Sequence, residues 1–276
     1  QLQKGLWLLS QCLAMGAEHC KCQQCDRSAH VIFGEPETRD AVTLDNGAVY
    51  NGQWSGETRH GEGEQVWANG ARYTGQWVND KAEGKGRFEH VDGDVYEGQW
   101  LQDKAHGCGV YTHDNGSKYE GEWMDDKQHG HGFEVWPDKS RYEGQYRGGV
   151  KTGYGKFSWA DNSRFEGEFL ENDMNGTGTY TWGDGRKFEG QWVKNRMQGR
   201  GVFTWGDGRT YEGEYDKDLK HGTGTFKWAD GRVYKGNWFQ GKQHGPGVYV
   251  NDEGLERTGE WKEGKFQHWV NQRDIS

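Results

Sequence analysis

Large aromatic residues alternate with polar ones in short bursts along this chain. In Tyr73-Thr74-Gly75-Gln76-Trp77 the rings and the glycine fall on every second position. A period of two predicts a strand with one aromatic face and one polar face. Val78 to Ala82 reads as a polar loop, and Gly84-Lys85-Gly86-Arg87-Phe88 begins a second strand. The burst recurs at a step of 23 residues: Tyr50 to Trp54, Tyr96 to Trp100, Tyr119 to Trp123, Tyr142 to Tyr146, Phe165 to Phe169, Phe188 to Trp192, Tyr211 to Tyr215 and Tyr234 to Trp238. A worn tenth copy ends at Gly259-Glu260-Trp261. A strict period of this length means stacked two-stranded units rather than one globular core. The predicted fold is all-β: an elongated single-layer antiparallel meander of about ten hairpin repeats.

The punctuation agrees. Asn46-Gly47, Asn69-Gly70, Asn115-Gly116, Asp184-Gly185, Asp207-Gly208 and Asp230-Gly231 close successive units. Asn-Gly and Asp-Gly predict type I′ turns, with positive φ at both central residues. Asp138-Lys139 and Asp161-Asn162 depart from the pattern and predict looser turns. In the second strands Phe88, Tyr111, Phe157, Tyr180, Phe203, Phe226 and Tyr249 share one phase. Trp67, Trp136, Trp159, Trp182, Trp205 and Trp228 stand two residues beyond that phase and therefore on the same face. Glycines such as Gly75, Gly84 and Gly86 leave room for rings to lie across the backbone.

Composition sharpens this picture. There are 46 glycines and 15 tryptophans, but hydrophobic residues make up only 32%. Any core must therefore be built of rings, and cross-strand aromatic pairs worth about 0.5–1.5 kcal/mol each are its currency. The formal charge of −9 repels phosphates, so nucleic acid is not an expected partner. No run of 18 apolar residues predicts a spanning helix. Four of the five cysteines precede residue 26. Cys108 alone lies in the repeats, so they contain no disulfide framework and suit a reducing, cytoplasmic setting.

Three segments follow: residues 1–41, an array over 42–270, and a tail over 271–276. In the first, Leu2, Leu6, Leu9 and Leu13 fit a short amphipathic helix. If Met15 initiates translation, Gly16 partly matches a myristoylation signal, with Cys20 and Cys22 as palmitoyl acceptors. Membrane contact is expected only through this segment. Rival readings are a zinc site at Cys20, Cys22 and Cys25 with His19 or His30, a signal-peptide core over 6–14, or a tail without a fold of its own. Val42 and Leu44 read as a cap on the array start, and Phe266 with Trp269 and Val270 as a cap on its end. An unprotected end would favour homodimers.

Tyr119-Glu120-Gly121-Glu122-Trp123, followed by Asp126-Lys127-Gln128-His129-Gly130-His131-Gly132, resembles the MORN repeat (membrane occupation and recognition nexus). Further His-Gly-x-Gly copies stand at His60, His106, His221 and His244. The resemblance implies a solvent-exposed β-array used as a scaffold. Members of that family serve in cytoskeletal scaffolds, ciliary radial-spoke heads and membrane junctions, and others carry the repeats beside a lipid kinase or methyltransferase domain.

The expected function is accordingly a non-enzymatic interaction array, with no cofactor, that organises a cytoskeletal or ciliary assembly. The alternatives are a peripheral membrane organiser held by N-terminal acylation, or the MORN part of a larger enzyme. The aromatic face predicts a docking groove for a helix or peptide, with Trp159, Trp182, Trp205 and Trp228 as its platform beside Phe203 and Phe226. On the polar face, Glu120, Glu122, Glu166, Glu168, Glu212 and Glu214 form an acidic strip that would suit a basic partner. Lys118, Arg141, Arg164 and Lys187 flank it, so ion pairing on a solvated sheet is its other reading. The in-phase histidines are spaced about 10 Å apart by two 4.8 Å strand steps, too far to share a metal.

Overall fold

The structure, a computed structural model, describes residues 35–270. The helix expected over Leu2 to Leu13, Gly16, Cys20, Cys22, Cys25 and the tail after 270 lie outside the described residues.

Twenty-one strands run from β1 (Glu37–Thr43) to β21 (Lys265–Trp269), and no helix occurs among the described residues. Each strand pairs antiparallel with the next in the chain, which makes one open meander. The predicted fold is the observed one. A repeat consists of a seven-residue strand and a nine-residue strand, as in β4 (Arg72–Val78) and β5 (Lys81–Glu89), followed by β6 (Val95–Leu101) of the next.

Glycine opposes glycine in every pairing except the first and the last. Gly75 faces Gly86, which faces Gly98 in the next repeat. This ladder crosses the sheet from Gly52 on β2 (Val49–Ser55) to Gly259 on β20 (Glu256–Lys262). A ring lies across each rung. A Cβ on Gly86 would meet the Tyr73 hydroxyl at 2.3 Å. That hydroxyl donates to the Gln76 carbonyl at 2.9 Å. Tyr73 meets Trp77 of its own repeat edge-on at 5.0 Å and Trp100 of the next at 5.1 Å. The same edge-to-face alternation is unbroken from Trp54 to Trp261. The core is thus a line of rings, and indole N–H groups tie it to the preceding repeat, as Trp77 Nε1 does to the Gly63 carbonyl at 3.2 Å.

The turns correct the sequence reading. At Asp184-Gly185 only the glycine has positive φ, 87°. Trp182 and Arg186 close the loop through a 2.9 Å N–H to carbonyl bond, so three residues lie between them, not two. A three-residue loop takes a type I turn followed by one left-handed residue. Lys139 (φ 72°) and Asn162 (φ 67°) occupy that same left-handed position with the same bonds, so the two departures are not looser turns. The paired positive φ values of type I′ turns sit instead at the stretch read as a loop: Asn79 and Asp80 are at 49° and 68°.

Those I′ tips also bind backward. Asp103 N–H donates to the Ala82 carbonyl at 3.0 Å, and Ala82 N–H donates to Asp103 Oδ1 at 2.7 Å. The reciprocal pair recurs at Asp126, Asn172, Asn195 and Asp218. Each repeat is stapled to its predecessor outside the sheet ladder.

Val42 and Leu44 pack on the Tyr50 cluster, as a cap should. On β21, Phe266 and Trp269 contact each other at 4.5 Å yet stay 44% and 38% exposed. Cys108, on β7 (Lys104–Thr112), is disulfide-bonded.

Candidate protein-docking face

One position per repeat decides the relief of the aromatic face. It lies two residues past each I′ tip and is held in turn by Arg59, Ala82, Ala105, Gln128, Lys151, Met174, Met197, Lys220 and Gln243. Where two consecutive repeats carry alanine, the face sinks. A groove of about 560 Å³ opens there, floored by Ala82 and Ala105. Trp67, Trp77, Phe88, Trp100, Tyr111 and Trp123 wall it, and Asp80, Asp103 and Asp126 line its margin, with Arg59 paired to Asp80 there at 3.1 Å. His90 and His113 take the phase that tryptophan holds elsewhere. Asp94 accepts from the Tyr111 hydroxyl at 2.7 Å and contacts His113 Nδ1 at 2.9 Å. The Asp114 amide, then Tyr111, hold the Asp94 carboxyl below the usual range. The concavity lies apart from the four tryptophans singled out by sequence. Its signal in the sequence is the pair of consecutive alanines at this position, Ala82 and Ala105.

Those tryptophans form a second row of rings. Trp159, Tyr180, Trp182, Phe203, Trp205, Phe226 and Trp228 follow one another at 5.1, 4.6, 5.2, 4.4, 5.5 and 4.7 Å. The four indoles are half-buried, whereas Phe203 and Phe226 are 8% and 6% exposed and belong to the core. Arg186, Arg209 and Arg232 lie over Trp182, Trp205 and Trp228 at 5.3, 5.4 and 5.4 Å. Each also pairs with a turn aspartate, Asp184, Asp207 or Asp230. The row presents indole edges and cations together.

The six glutamates of the polar face divide by role. Glu122 accepts from the His131 amide at 2.9 Å and Glu214 from the Thr223 amide at 3.1 Å. Gln76 does the same for Lys85 at 2.9 Å beside Gly84, whose φ of 67° marks a bulge. Glu168 accepts from the Thr177 hydroxyl at 2.6 Å. These three carboxylates serve the backbone and its neighbours at the bulge. The Thr223 amide and hydroxyl accordingly hold Glu214 below its usual range. Glu120 pairs with Lys118 at 3.1 Å along one strand. Glu166 takes the Tyr154 hydroxyl at 2.9 Å and Lys156 at 3.1 Å, and the phenol is the larger cause of its lowered pKa. Glu212 borders a shallow concavity shared with Arg200 and Lys235. The strip is therefore a mixed, largely engaged surface. Among the described residues, no three His, Cys, Asp or Glu side chains come together as a metal site.

The MORN repeat family matches residues 50–72, 73–95, 96–118, 119–141, 142–164, 165–185, 188–208, 211–231 and 234–255. No curated protein compared with the chain matches it. Among solved structures, the TCP10 domain of Danio rerio CPAP, in complex with a peptide of Danio rerio STIL, is similar at 13% identity and a TM-score of 0.45, over 84% of this chain and 98% of that one. The SAS-4 (dCPAP) TCP domain of Drosophila melanogaster, with a proline-rich motif of Ana2 (dSTIL), is similar at 12% identity and a TM-score of 0.34, over 67% and 94%. Similarity at that level carries nothing about function. Nine matched copies in one unbroken 23-residue register, each folded as the same glycine-laddered hairpin, place this chain in the MORN-repeat family.

Proposed function

We propose that the array is a non-enzymatic scaffold that seats a helix or extended peptide of a partner protein on its aromatic face and so organises a cytoskeletal or ciliary assembly. The groove above Ala82 and Ala105 carries this reading. It is concave, walled by large rings and open on a face over which the described residues lay no second layer. Its acidic margin favours a segment with basic residues beside its apolar anchors. Trp159, Trp182, Trp205 and Trp228 offer further apolar edges on the same face. The cytoskeletal or ciliary setting rests on the known roles of the family alone.

The test fills the groove without disturbing the ladder. Ala82→Lys and Ala105→Lys install a residue that the array already tolerates at Lys151 and Lys220. Twelve-residue peptides are selected from a random display library on the full chain, and their affinities are measured by calorimetry. The double variant is expected to weaken the groove-binding class at least about tenfold, or about 1.4 kcal/mol. Equal affinity for both proteins, in every selected peptide, would sink the groove.

A further inference from the structure

Three cations stand at the position that sets the relief of the aromatic face, and two have a carboxylate. Arg59 Nε lies 3.1 Å from Asp80 Oδ1. Lys151 Nζ lies 2.9 Å from Glu134 Oε2, and the same oxygen accepts from the Tyr146 hydroxyl at 2.8 Å. Three repeats later the arrangement loses its acid. Lys220 and Tyr215 face each other across the hairpin as Lys151 and Tyr146 do. The residue equivalent to Glu134 is Phe203. The Tyr215 hydroxyl is buried without a hydrogen-bond partner. The half-buried Lys220 ammonium sits 4.6–5.2 Å from the ring centres of Trp205, Tyr211, Phe226 and Trp238, with no carboxylate among its contacts. Ring faces attract an ammonium, but they replace only part of its lost hydration. That burial, with Arg209 nearby, pushes the Lys220 pKa down to about 8.

We infer that Lys220, beside Tyr215 and over the half-buried indole of Trp205, is an anchor for a carboxylate side chain of an acidic partner segment docked on the aromatic face. The repeat built around Glu134 shows the complete arrangement in cis, with one carboxylate shared by an ammonium and a phenol. Around Lys220 the ammonium and the phenol are kept and the acid is left to come from elsewhere. Arg186, Arg209 and Arg232 over the same row are each paired with a turn aspartate, so Lys220 is the cation left there without an acid, whereas the groove margin at the other end carries aspartates. The face thus reads its partners with two signs of charge at two places. This inference rests on the proposal that the aromatic face docks proteins, and it adds the chemistry of a second contact.

Lys220→Met tests it, since Met174 and Met197 hold the same position in neighbouring repeats and fold there. Peptides selected on the full chain are screened again on the variant. The peptides lost by Lys220→Met are expected to be enriched in Glu and Asp. Changing their acidic residue to Gln should weaken binding to the native chain about tenfold, and should change nothing further in Lys220→Met. Phe203→Glu, which restores the internal acid, should exclude the same peptides. The inference is overturned if no peptide distinguishes Lys220→Met from the native chain, if the lost peptides carry no acid, or if the two changes weaken binding additively. Displacement of the peptides by excess inorganic phosphate would also overturn it, because the site would then take any anion. If this class persists while Ala82→Lys/Ala105→Lys leaves all peptides unaffected, the groove falls and the Lys220 anchor stands.

Discussion

At Gly86 one added methyl group has nowhere to go. Its Cβ would lie 2.3 Å from the Tyr73 hydroxyl and 2.5 Å from the ring carbon that bears it. Gly116 is different: its φ is 88°, but nothing stands within 4 Å of an added Cβ. Overpacking costs about 1–3 kcal/mol, and a left-handed alanine about 1–2. Gly86→Ala is therefore expected to lose about 2–3 kcal/mol in urea unfolding, and Gly116→Ala about 1 kcal/mol. The reverse order would refute close ring-over-glycine packing as the source of the ladder's stability. The sequence made this packing legible, because a tyrosine or phenylalanine stands two residues before a glycine in nine copies. It did not reveal that Phe203 and Phe226 lie in the core while the indoles beside them stay half-exposed. Alternation assigns a face but says nothing of depth on that face.

Among the elements, the hairpins show how a short signal is assigned to the wrong loop. Asn-Gly and Asp-Gly suit either a two-residue I′ turn or a three-residue loop with a left-handed third residue. The closing bond between Trp182 and Arg186 settles which one forms, and only cross-strand register shows that bond. The real I′ tips carry pairs such as Glu171-Asn172 and Lys194-Asn195, whose motif is weaker. They are held there by the reciprocal staple to the preceding repeat, a contact made 21 residues away. Asp103→Ala removes the acceptor for the Ala82 amide and places alanine at a φ of 68°. The expected loss is about 2 kcal/mol, with faster hydrogen exchange at the Ala82 amide. Asp103→Asn should be nearly neutral, as Asn172 and Asn195 already serve the same role. Equal effects of the two substitutions would remove the staple as a stabilising contact.

Across the whole molecule, the tyrosines of the ladder set its response to alkali. Burial pushes Tyr50 and Tyr234 up to about 12 from the ordinary 10.0, and raises Tyr73, Tyr96, Tyr119, Tyr142 and Tyr211 further. Above pH 10 the unfolded chain releases phenol protons that the folded chain retains. The folded state then binds more protons, so stability falls as pH rises. Lys220 acts in the opposite direction between about 8 and 10.5, where the unfolded chain holds its proton and the folded chain has lost it. One lysine opposes these seven tyrosines and Tyr111, Tyr146, Tyr154 and Tyr215, which are raised as well, so the phenols prevail above pH 10. The melting midpoint should stay level to about pH 9 and fall steeply above 10, with phenolate absorbance rising together with unfolding. Phenolate formation in a chain that keeps its folded β-sheet signal would contradict a closed aromatic core.

The sequence by itself determined the repeat, its number of copies, the order of the strands and the face each ring occupies. A fixed period with strict alternation leaves each unit only its neighbours to pack against, so local pattern and global order coincide. The tertiary structure alone decided which loop is the tight one, which glutamates are spent on bulges, where the face sinks into a groove and which lysine lacks an acid. Each of these depends on strand register or on repeat stacking, which bring together residues such as Glu122 and His131, Ala82 and Asp103, or Tyr73 and Trp100. No local pattern within a single 23-residue copy encodes those meetings.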